Sequence, residues 1–395
     1  MAGIMAYRRT DGRVGIRNYV LVISMVSCSN SVAERIARAT KTIPIVHEQG
    51  CTEFEHDHAR TVLALTAAGR NPNVGAVLLV GLGCEQTDIE GVRKAIASAG
   101  KPVEAILIQK EGGSPQAEKR GIEIVQELKG ICASQERVPC SVADLVVGVQ
   151  CGGSDWTTAL SANPVIGVMS DLVIENGGSV LMSEVAGFPG SEHIVASRAV
   201  SREVGLQVLD MISELRAEYI ETYGQRIEEV NPTPGNKAGG ITTLVEKSMG
   251  NIKKMGESKV QGVLKLGEEM PRPGLWVIDN RAQGPDPFNL TGLAMQGAVV
   301  TAFSSGRGSP VGNAVMPSIK LTGNPDTFRR LESITDFNAG VVIDGASIQE
   351  TGANLYDLLL EVAGGKETKS EINGNFEYTI PREAARKSPE GGCRR

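Results

Sequence analysis

The sequence predicts an α/β protein: a parallel-sheet, Rossmann-like N-terminal domain followed by a second α/β domain. Three observations carry this. Short apolar runs repeatedly end in small residues and lead into helical patterns, the mark of strand–turn–helix alternation. Gly numbers 47 while aromatics are only 4%, a balance suited to Val/Ile/Ala-rich buried strands joined by tight turns. At 395 residues the chain exceeds the size at which one core keeps growing, so two globular units are expected.

The first apolar run, Tyr19 to Val26, ends in Ser27-Cys28-Ser29-Asn30 before the helix-like SVAERIARAT. The second, Ile43 to Val46, ends in His47-Glu48-Gln49-Gly50-Cys51 before a helix carrying Glu53 to Ala68. The third, Ala76 to Val80, ends in Gly81-Leu82-Gly83-Cys84-Glu85 before DIEGVRKAIASAG, and the fourth, Val103 to Ile108, precedes a helix through Leu128. In such a doubly wound sheet the loops beyond the carboxyl ends of the strands form the ligand crevice.

A fifth run, Leu145 to Val149, ends in Gln150-Cys151-Gly152-Gly153-Ser154-Asp155 and opens the second unit. A strand near Ser179 to Met182 and a long helix from about Ser201 to Tyr223 follow. The prolines of NPTPGNKAGG, residues 231–240, break any helix entering it, and ITTLVEKSMGNIKKM reads as helix. Gly274 to Ile278, Ala298 to Phe303 and Gly340 to Ile343 read as further strands. The expected division is 1–142, 143–380 and a flexible polar tail at 381–395, which makes Cys393 incidental.

A net charge of -6 and a pI near 5.5 give no reason to expect nucleic acid or an acidic membrane as partner. No run approaches the roughly 20 apolar residues that span a bilayer, and the start MAGIMAYRRTDGRVG has no signal-peptide core, so a cytoplasmic location is expected. Seven cysteines in such a chain argue against a disulfide framework and leave metal binding, catalysis or burial open.

Four of them, Cys28, Cys51, Cys84 and Cys151, each fall just beyond a predicted strand, where the edge of a parallel sheet brings distant side chains together. Thiolates there suit zinc, iron or an iron–sulfur cluster, whereas each one taken alone also fits simple burial. No C-x-x-C pair occurs, and Cys132 and Cys140, around a helix end and loop, are expected to have no role. His47, Glu85 and Asp155 lie in the same turns and offer imidazole or carboxylate ligands suited to a ferrous ion, although His47 also fits a hydrogen-bonded structural histidine.

Glu184 ends a strand and His193 opens an apolar helical pattern, so either can meet a reacting proton, while Ser191 and Glu192 also read as helix-start residues. In Ser304-Ser305-Gly306-Arg307-Gly308-Ser309-Pro310, backbone N–H groups and one guanidinium form an anion site able to clamp a carboxylate. Lys237 in the punctuated loop can meet an anion or be solvated. No phosphate-loop or strand-placed G-x-G-x-x-G pattern occurs, so nucleotide binding has no support.

The runs YRRTDGRVGIRN, VSCSNSVAERIA, GLGCE, QCGGSD with SANPVIG, GNKAGGITTLVEKSMGNIKKMG and SSGRGSPVGNAVMPSIK together resemble the altronate/galactarate dehydratase family, in its large or C-terminal catalytic portion, from about Tyr7 to Gly364. The resemblance implies a metal-dependent lyase that dehydrates a hydroxy or sugar acid by β-elimination to a 2-keto-3-deoxy acid, with Fe2+ as cofactor and Mn2+ or an iron–sulfur cluster as alternatives. A related branch eliminates sulfite from sulfolactate, and a binding relative without catalysis is a third possibility. On the matching positions, His47, His193, Glu184 and Lys237 are expected to serve catalysis, with His47 and His193 both eligible as the base. Ser154, Asp155, Asn163, Arg307 and Ser309 are expected at the substrate, and Cys28, Cys51, Cys84, Glu85 and Cys151 at the metal. Many relatives carry a small SAF-type domain before this portion, so a separate small subunit, and an oligomer, are expected.

Three segments depart from the family pattern. HEQGCT stands where a glycine-rich H-G-x-G-C-G turn is usual, Trp156-Thr157-Thr158 follows QCGGSD in place of a Ser-Gly pair, and SEVAG replaces S-E-T-P-E. These changes predict a less polar site and a smaller or less hydroxylated acid than altronate. Cys51, inside a departing segment, is the weakest member of the quartet.

Overall fold

The computed structural model describes residues 3–281 and 286–380. The tail expected at 381–395, with Cys393, lies outside the described residues. Strand β1 (Gly3–Arg8) pairs antiparallel with β2 (Val14–Gly15) and β7 (Val138–Ser141), so the first and last strands of the N-terminal half close on one another. Between them β3 (Tyr19–Ser24), β4 (Ile43–Ile45), β5 (Val74–Gly81) and β6 (Val103–Leu107) form a parallel sheet in the order β4-β3-β5-β6. Every residue of β5 is buried, as its unbroken apolar run requires of a strand covered on both faces.

Helices α1 (Asn30–Thr40) and α4 (Ser114–Ala133) cover one face of this sheet; α2 (Glu55–Arg70) and α3 (Ile89–Ala97) cover the other. The stripe Val32, Ala33, Ile36 and Ala37 turns α1 inward, and Lys41, at φ 54°, ends it in the left-handed region.

The C-terminal half carries β8 (Val146–Cys151), β9 (Ser179–Met182), β10 (Val260–Lys265), β11 (Leu275–Asp279), β12 (Val300–Ser304), β13 (Ser318–Thr322) and β14 (Phe337–Asn338). They form one parallel sheet in the order β10-β11-β9-β8-β12-β13-β14. Helix α5 (Asn163–Glu175) follows β8, and beyond β9 come α6 (Glu192–Ser197), α7 (Arg202–Tyr223), α8 (Ile227–Val230), α9 (Pro234–Ala238) and α10 (Leu244–Asn251). Ser201 caps α7 by accepting from the Val204 N–H, a contact worth about 1 kcal/mol, and Gly224 closes it at φ 63°. Then come α11 (Asp286–Met295), α12 (Pro325–Arg330), α13 (Ile348–Ala363) and α14 (Lys369–Ile372).

Three apolar clusters define the layers. One lies between the first sheet and α1/α4, one between the second sheet and α5, α7 and α13, and the middle one joins the two sheets through α2, α3 and α11. Asn73 rivets the halves: its Oδ1 accepts from the N–H groups of Ile16 and Arg17, and its Nδ2 donates to the carbonyls of Val299 and Val315. Arg17 adds a buried ion pair to Glu371, 2.7 Å away.

The α/β alternation appears as expected. Gly340 to Ile343 is the exception: residues Ala339–Val342 form a tight 3₁₀ turn instead of a strand. Asn338 caps the Gly340 N–H, and Gly340 packs closely on Pro325. The neighbouring strand Ser318–Thr322 is the one whose pattern a lysine disguised. No helix among the described residues is long and apolar enough to cross a membrane.

Candidate active site

In the second sheet, the chain leaving β8 crosses through α5 to β9 on one side, while the chain leaving β12 goes to β13 on the other. Strand ends that diverge in this way open a crevice between their loops. The crevice is present: a cleft of about 490 Å³ lined by Asp155 and Trp156 from the β8 loop, Gly306 and Arg307 from the β12 loop, Gly239 and Gly240 after α9, and Asn324, Thr327 and Arg330 around α12. Two guanidiniums therefore border one opening, an arrangement suited to an organic anion.

Asp155 builds this cleft from beneath. Its Oδ1 accepts from the Thr157 hydroxyl (2.6 Å), the Thr158 N–H (3.0 Å) and the Thr158 hydroxyl (3.1 Å), and its Oδ2 accepts from Asn324 Nδ2 (3.2 Å). Gly306 packs against the same carboxylate so tightly that any side chain there would overlap it. Ser154 donates to the Gly152 carbonyl, and Asn236 Nδ2 donates to the Ser154 carbonyl, tying the α9 segment to the β8 loop. The departing stretch after QCGGSD thus divides: Thr157 and Thr158 are polar supports of Asp155, and Trp156 alone lines the opening.

Beneath the loops, two rungs of the sheet carry buried polar groups to its opposite faces. Cys151, Ser304 and Leu321 pair across β8, β12 and β13, and Gln150, Phe303 and Lys320 form the rung before them. Alternation along a strand sends these sets to opposite sides.

On the α5 side, Cys151 Sγ donates to Glu184 Oε2 (3.1 Å), which also receives Lys254 Nζ (2.8 Å). Lys254 Nζ donates as well to Asn251 Oδ1 (2.6 Å), and Ser304 donates to Asn163 Oδ1 (2.6 Å). Burial by itself would push the Glu184 carboxyl up, but the charges of Lys254 and Lys247 bring it below its ordinary value. Burial likewise opposes the Lys254 ammonium, yet the acidic groups of Cys151 and Glu184 raise it overall. Burial and the Glu184 charge push the Cys151 thiol up. The set rests as carboxylate, ammonium and neutral thiol.

On the α11 side, Lys320 Nζ stands 3.8 Å from the centre of the Phe303 ring. Gln150 Nε2 donates to the Cys151 carbonyl (2.9 Å) and reaches toward Asp286 Oδ1 at 3.5 Å. Burial, reinforced by the Glu184 charge, pushes Asp286 up to about 6. Burial brings Lys320 down to about 7 against the pull of Asp286, Glu377 and Asp336. Gly152 keeps the space open: a Cβ there would lie 2.7 Å from Asp286 Oδ2 and 2.8 Å from the Phe303 ring.

The residues singled out in the sequence separate accordingly. Asp155 and Arg307 line the cleft, and Ser154 supports it. Glu184 and Cys151 meet directly. Asn163 is buried between Ser304 and the Gly250 carbonyl, and Ser309 Oγ accepts from the Val311 N–H at 3.4 Å. Lys237 and His193 are exposed on α9 and α6. His47 holds a loop: its Nε2 lies 2.8 Å from the Ser24 carbonyl and its Nδ1 accepts from the Gln49 N–H (3.0 Å).

The expected metal set does not assemble. Cys28, Cys51 and Cys84 are exposed on the loops after β3, β4 and β5 of the first sheet, and these loops interlock through Ser27 N–H to Gln49 O and Gln86 N–H to Gly50 O. Glu85 turns back on its own loop to accept from the Gly83 N–H. Cys151 belongs to the other sheet and has an ammonium, not a cation site, beside its carboxylate neighbour. Among the described residues no three His, Cys, Asp or Glu side chains gather as a single ion requires. The proposed ligands therefore do not fit mononuclear iron or manganese. Strand ends alone could not reveal this, because two sheets each have a carboxyl edge.

Lys254, Lys320, Asp286, Gln150 and Arg330 are not among the site residues the sequence predicts. For Lys320 a signal existed: one lysine inside the apolar run VMPSIKLTG, where a buried strand admits a charge only for a reason.

Comparison with known proteins agrees with this architecture. Residues 6–132 match the family model "D-galactarate dehydratase/Altronate hydrolase, second domain", and residues 142–386 match "D-galactarate/Altronate dehydratase, C-terminal". Altronate dehydratase of Escherichia coli is 34% identical over 95% of this chain and 77% of its own length. The (2R)-sulfolactate sulfo-lyase subunit beta of Chromohalobacter salexigens is 35% identical over 96% of this chain and 97% of its own length. Galactarate dehydratase (L-threo-forming) of Escherichia coli is 30% identical over 91% and 72%. Together with the two matched family models, these relatives show that the chain belongs to the D-galactarate/altronate dehydratase family and is a lyase of the hydro-lyase type.

Proposed function

We propose that this chain dehydrates a hydroxy acid of the sugar-acid kind by β-elimination, giving a 2-keto-3-deoxy acid, in the cleft between the β8 and β12 loops. The observation that carries the reading is the pair Arg307 and Arg330 on one opening at the divergence point of the sheet. In an elimination α to a carboxylate, negative charge develops on the carboxylate as the proton leaves, and guanidiniums fixed beforehand stabilise that charge. Asp155 serves as a positioning residue: its bonds to Thr157, Thr158 and Asn324 hold the loops that present the arginines. Iron, which the family resemblance implies, enters no step here: Cys151 lies on a different sheet from Cys28, Cys51 and Cys84, and among the described residues no three ligand side chains gather as a single ion requires.

Trp156 on the cleft wall favours an acid smaller or less hydroxylated than altronate. The test is a panel of hydroxy acids, altronate and galactarate among them, with the keto acid measured directly. The R307A variant is expected to raise KM about 10- to 100-fold, since a charge-assisted bidentate contact is lost from bound substrate. Turnover of hexonates and hexarates alone would sink the smaller-substrate reading; an unchanged KM in R307A would remove the arginine clamp.

A second reading is release of sulfite from a sulfonated hydroxy acid. It is favoured by the match over 97% of the length of the sulfo-lyase subunit, and two arginines suit a carboxylate and a sulfonate together. That relative's designation as a subunit also supports a second partner chain for this protein. Sulfite detected with a thiol reagent in place of a keto-deoxy acid would select this reading.

A further inference from the structure

The rung Gln150–Phe303–Lys320 carries two buried polar atoms that the fold leaves unanswered. Gln150 Oε1 and Lys320 Nζ have no hydrogen-bond partner among the described residues, although both side chains are buried. Buried polar atoms in native proteins nearly always find a partner, so a pair on one rung points to a ligand or water that meets them. The rung is close to the cleft along the chain: Gly152 abuts Asp286 and Phe303, and the next carbonyl, that of Gly153, accepts from the Arg307 N–H (3.1 Å).

Other candidates for the proton-accepting group are engaged or exposed, Lys237 on α9 among the exposed ones. Both ring nitrogens of His47 are engaged, His193 is exposed on α6, Glu184 is paired with Lys254, and the Cys151 thiol donates to Glu184. We propose that Lys320 is the catalytic base that removes the proton α to the substrate carboxylate, with Asp286 as the neighbouring charge that tunes it and Gln150 Oε1 accepting from a substrate hydroxyl. This assignment rests on the dehydration reading and deepens it.

In the step, the neutral amine takes the α-proton, and the C–H electron pair becomes the C=C bond as the β C–O bond breaks. The departing hydroxide takes a proton from solvent, Lys320 returns its own to solvent, and the enol ketonises. The net change is loss of one water with no redox partner. Burial brings this amine down to about 7, towards the range in which a general base is effective at neutral pH. The charged groups facing Lys320 are Asp286 from α11, Glu377 from the C-terminal segment and Asp336 before β14; Glu184 and Lys247 act in turn on Asp286.

The test compares wild type, K320M, K320R and D286N for turnover, exchange of the α-hydrogen in D2O by NMR, substrate binding through Trp156 fluorescence, and the pH dependence of kcat/KM. K320M and K320R are expected to lose turnover and α-exchange by about 10³-fold while still binding substrate. D286N is expected to move the acidic limb to lower pH than in the wild type, because removing the carboxylate removes a pull that holds the Lys320 pKa up. Active wild type together with K320M exchanging within ten-fold of it would overturn the base assignment and leave the dehydration reading standing. Wild type inert toward every hydroxy acid would remove both. Where K320M does not fold, D286N decides: an acidic limb that stays in place overturns the proposal.

Discussion

Replacing Lys254 by methionine removes the ammonium that Glu184 meets inside the protein while keeping the volume of the side chain. Lys254's side chain is 0% exposed and Glu184's 9%, with 2.8 Å between the charged atoms, so the pair belongs with buried ion pairs and not with surface ones. Removing one partner from such a pair typically costs about 3–5 kcal/mol, whereas an exposed pair is worth at most about 1 kcal/mol. The expected loss for K254M, read by urea unfolding at pH 7, is therefore at least about 3 kcal/mol.

The pH dependence identifies the cause. In the wild type the folded-state pKa of Glu184 lies below its ordinary 4.5, so its stabilisation is present above the unfolded value and fades as pH falls through the folded one. Without Lys254, burial raises that pKa, and the variant's penalty is largest at neutral pH and shrinks as the carboxyl protonates. The two stability curves should converge towards pH 4.5. The double variant E184Q/K254M should recover at least half of the loss, because no uncompensated charge remains. A deficit under about 1 kcal/mol, or one independent of pH, would refute the buried-pair reasoning.

Asn73→Ala should lower stability by at least about 3 kcal/mol in the same unfolding measurement, since the N–H groups of Ile16 and Arg17 and the carbonyls of Val299 and Val315 each lose a buried partner worth about 1–3 kcal/mol; a loss near zero would mean water replaces the amide. Thiol titration of the native protein in a C393S background should show three fast cysteines, Cys28, Cys51 and Cys84, and three that react only on unfolding, Cys132, Cys140 and Cys151, whose thiols burial also pushes up. Fast labelling of Cys151 would contradict its place beneath the β8 loop.

The strand–turn–helix rhythm and the two α/β units were legible in the linear sequence. Each depends on local patterning: apolar runs, glycine turns, helical spacing. Thus Arg307 and Asp155 could be picked out, because both sit one short turn beyond a strand. Only the tertiary structure decided which strand ends share an edge. It separated Cys151 from Cys28, Cys51 and Cys84, since β8 belongs to a different sheet from β3, β4 and β5. It also decided that Lys254 and Lys320 are buried, although in the sequence a lysine reads as solvated and the run holding Lys320 loses its strand signal. Local pattern follows from interactions between near neighbours in the chain. The burial of a charge, and the company it keeps, depend on sheets and helices brought together from distant parts of the chain.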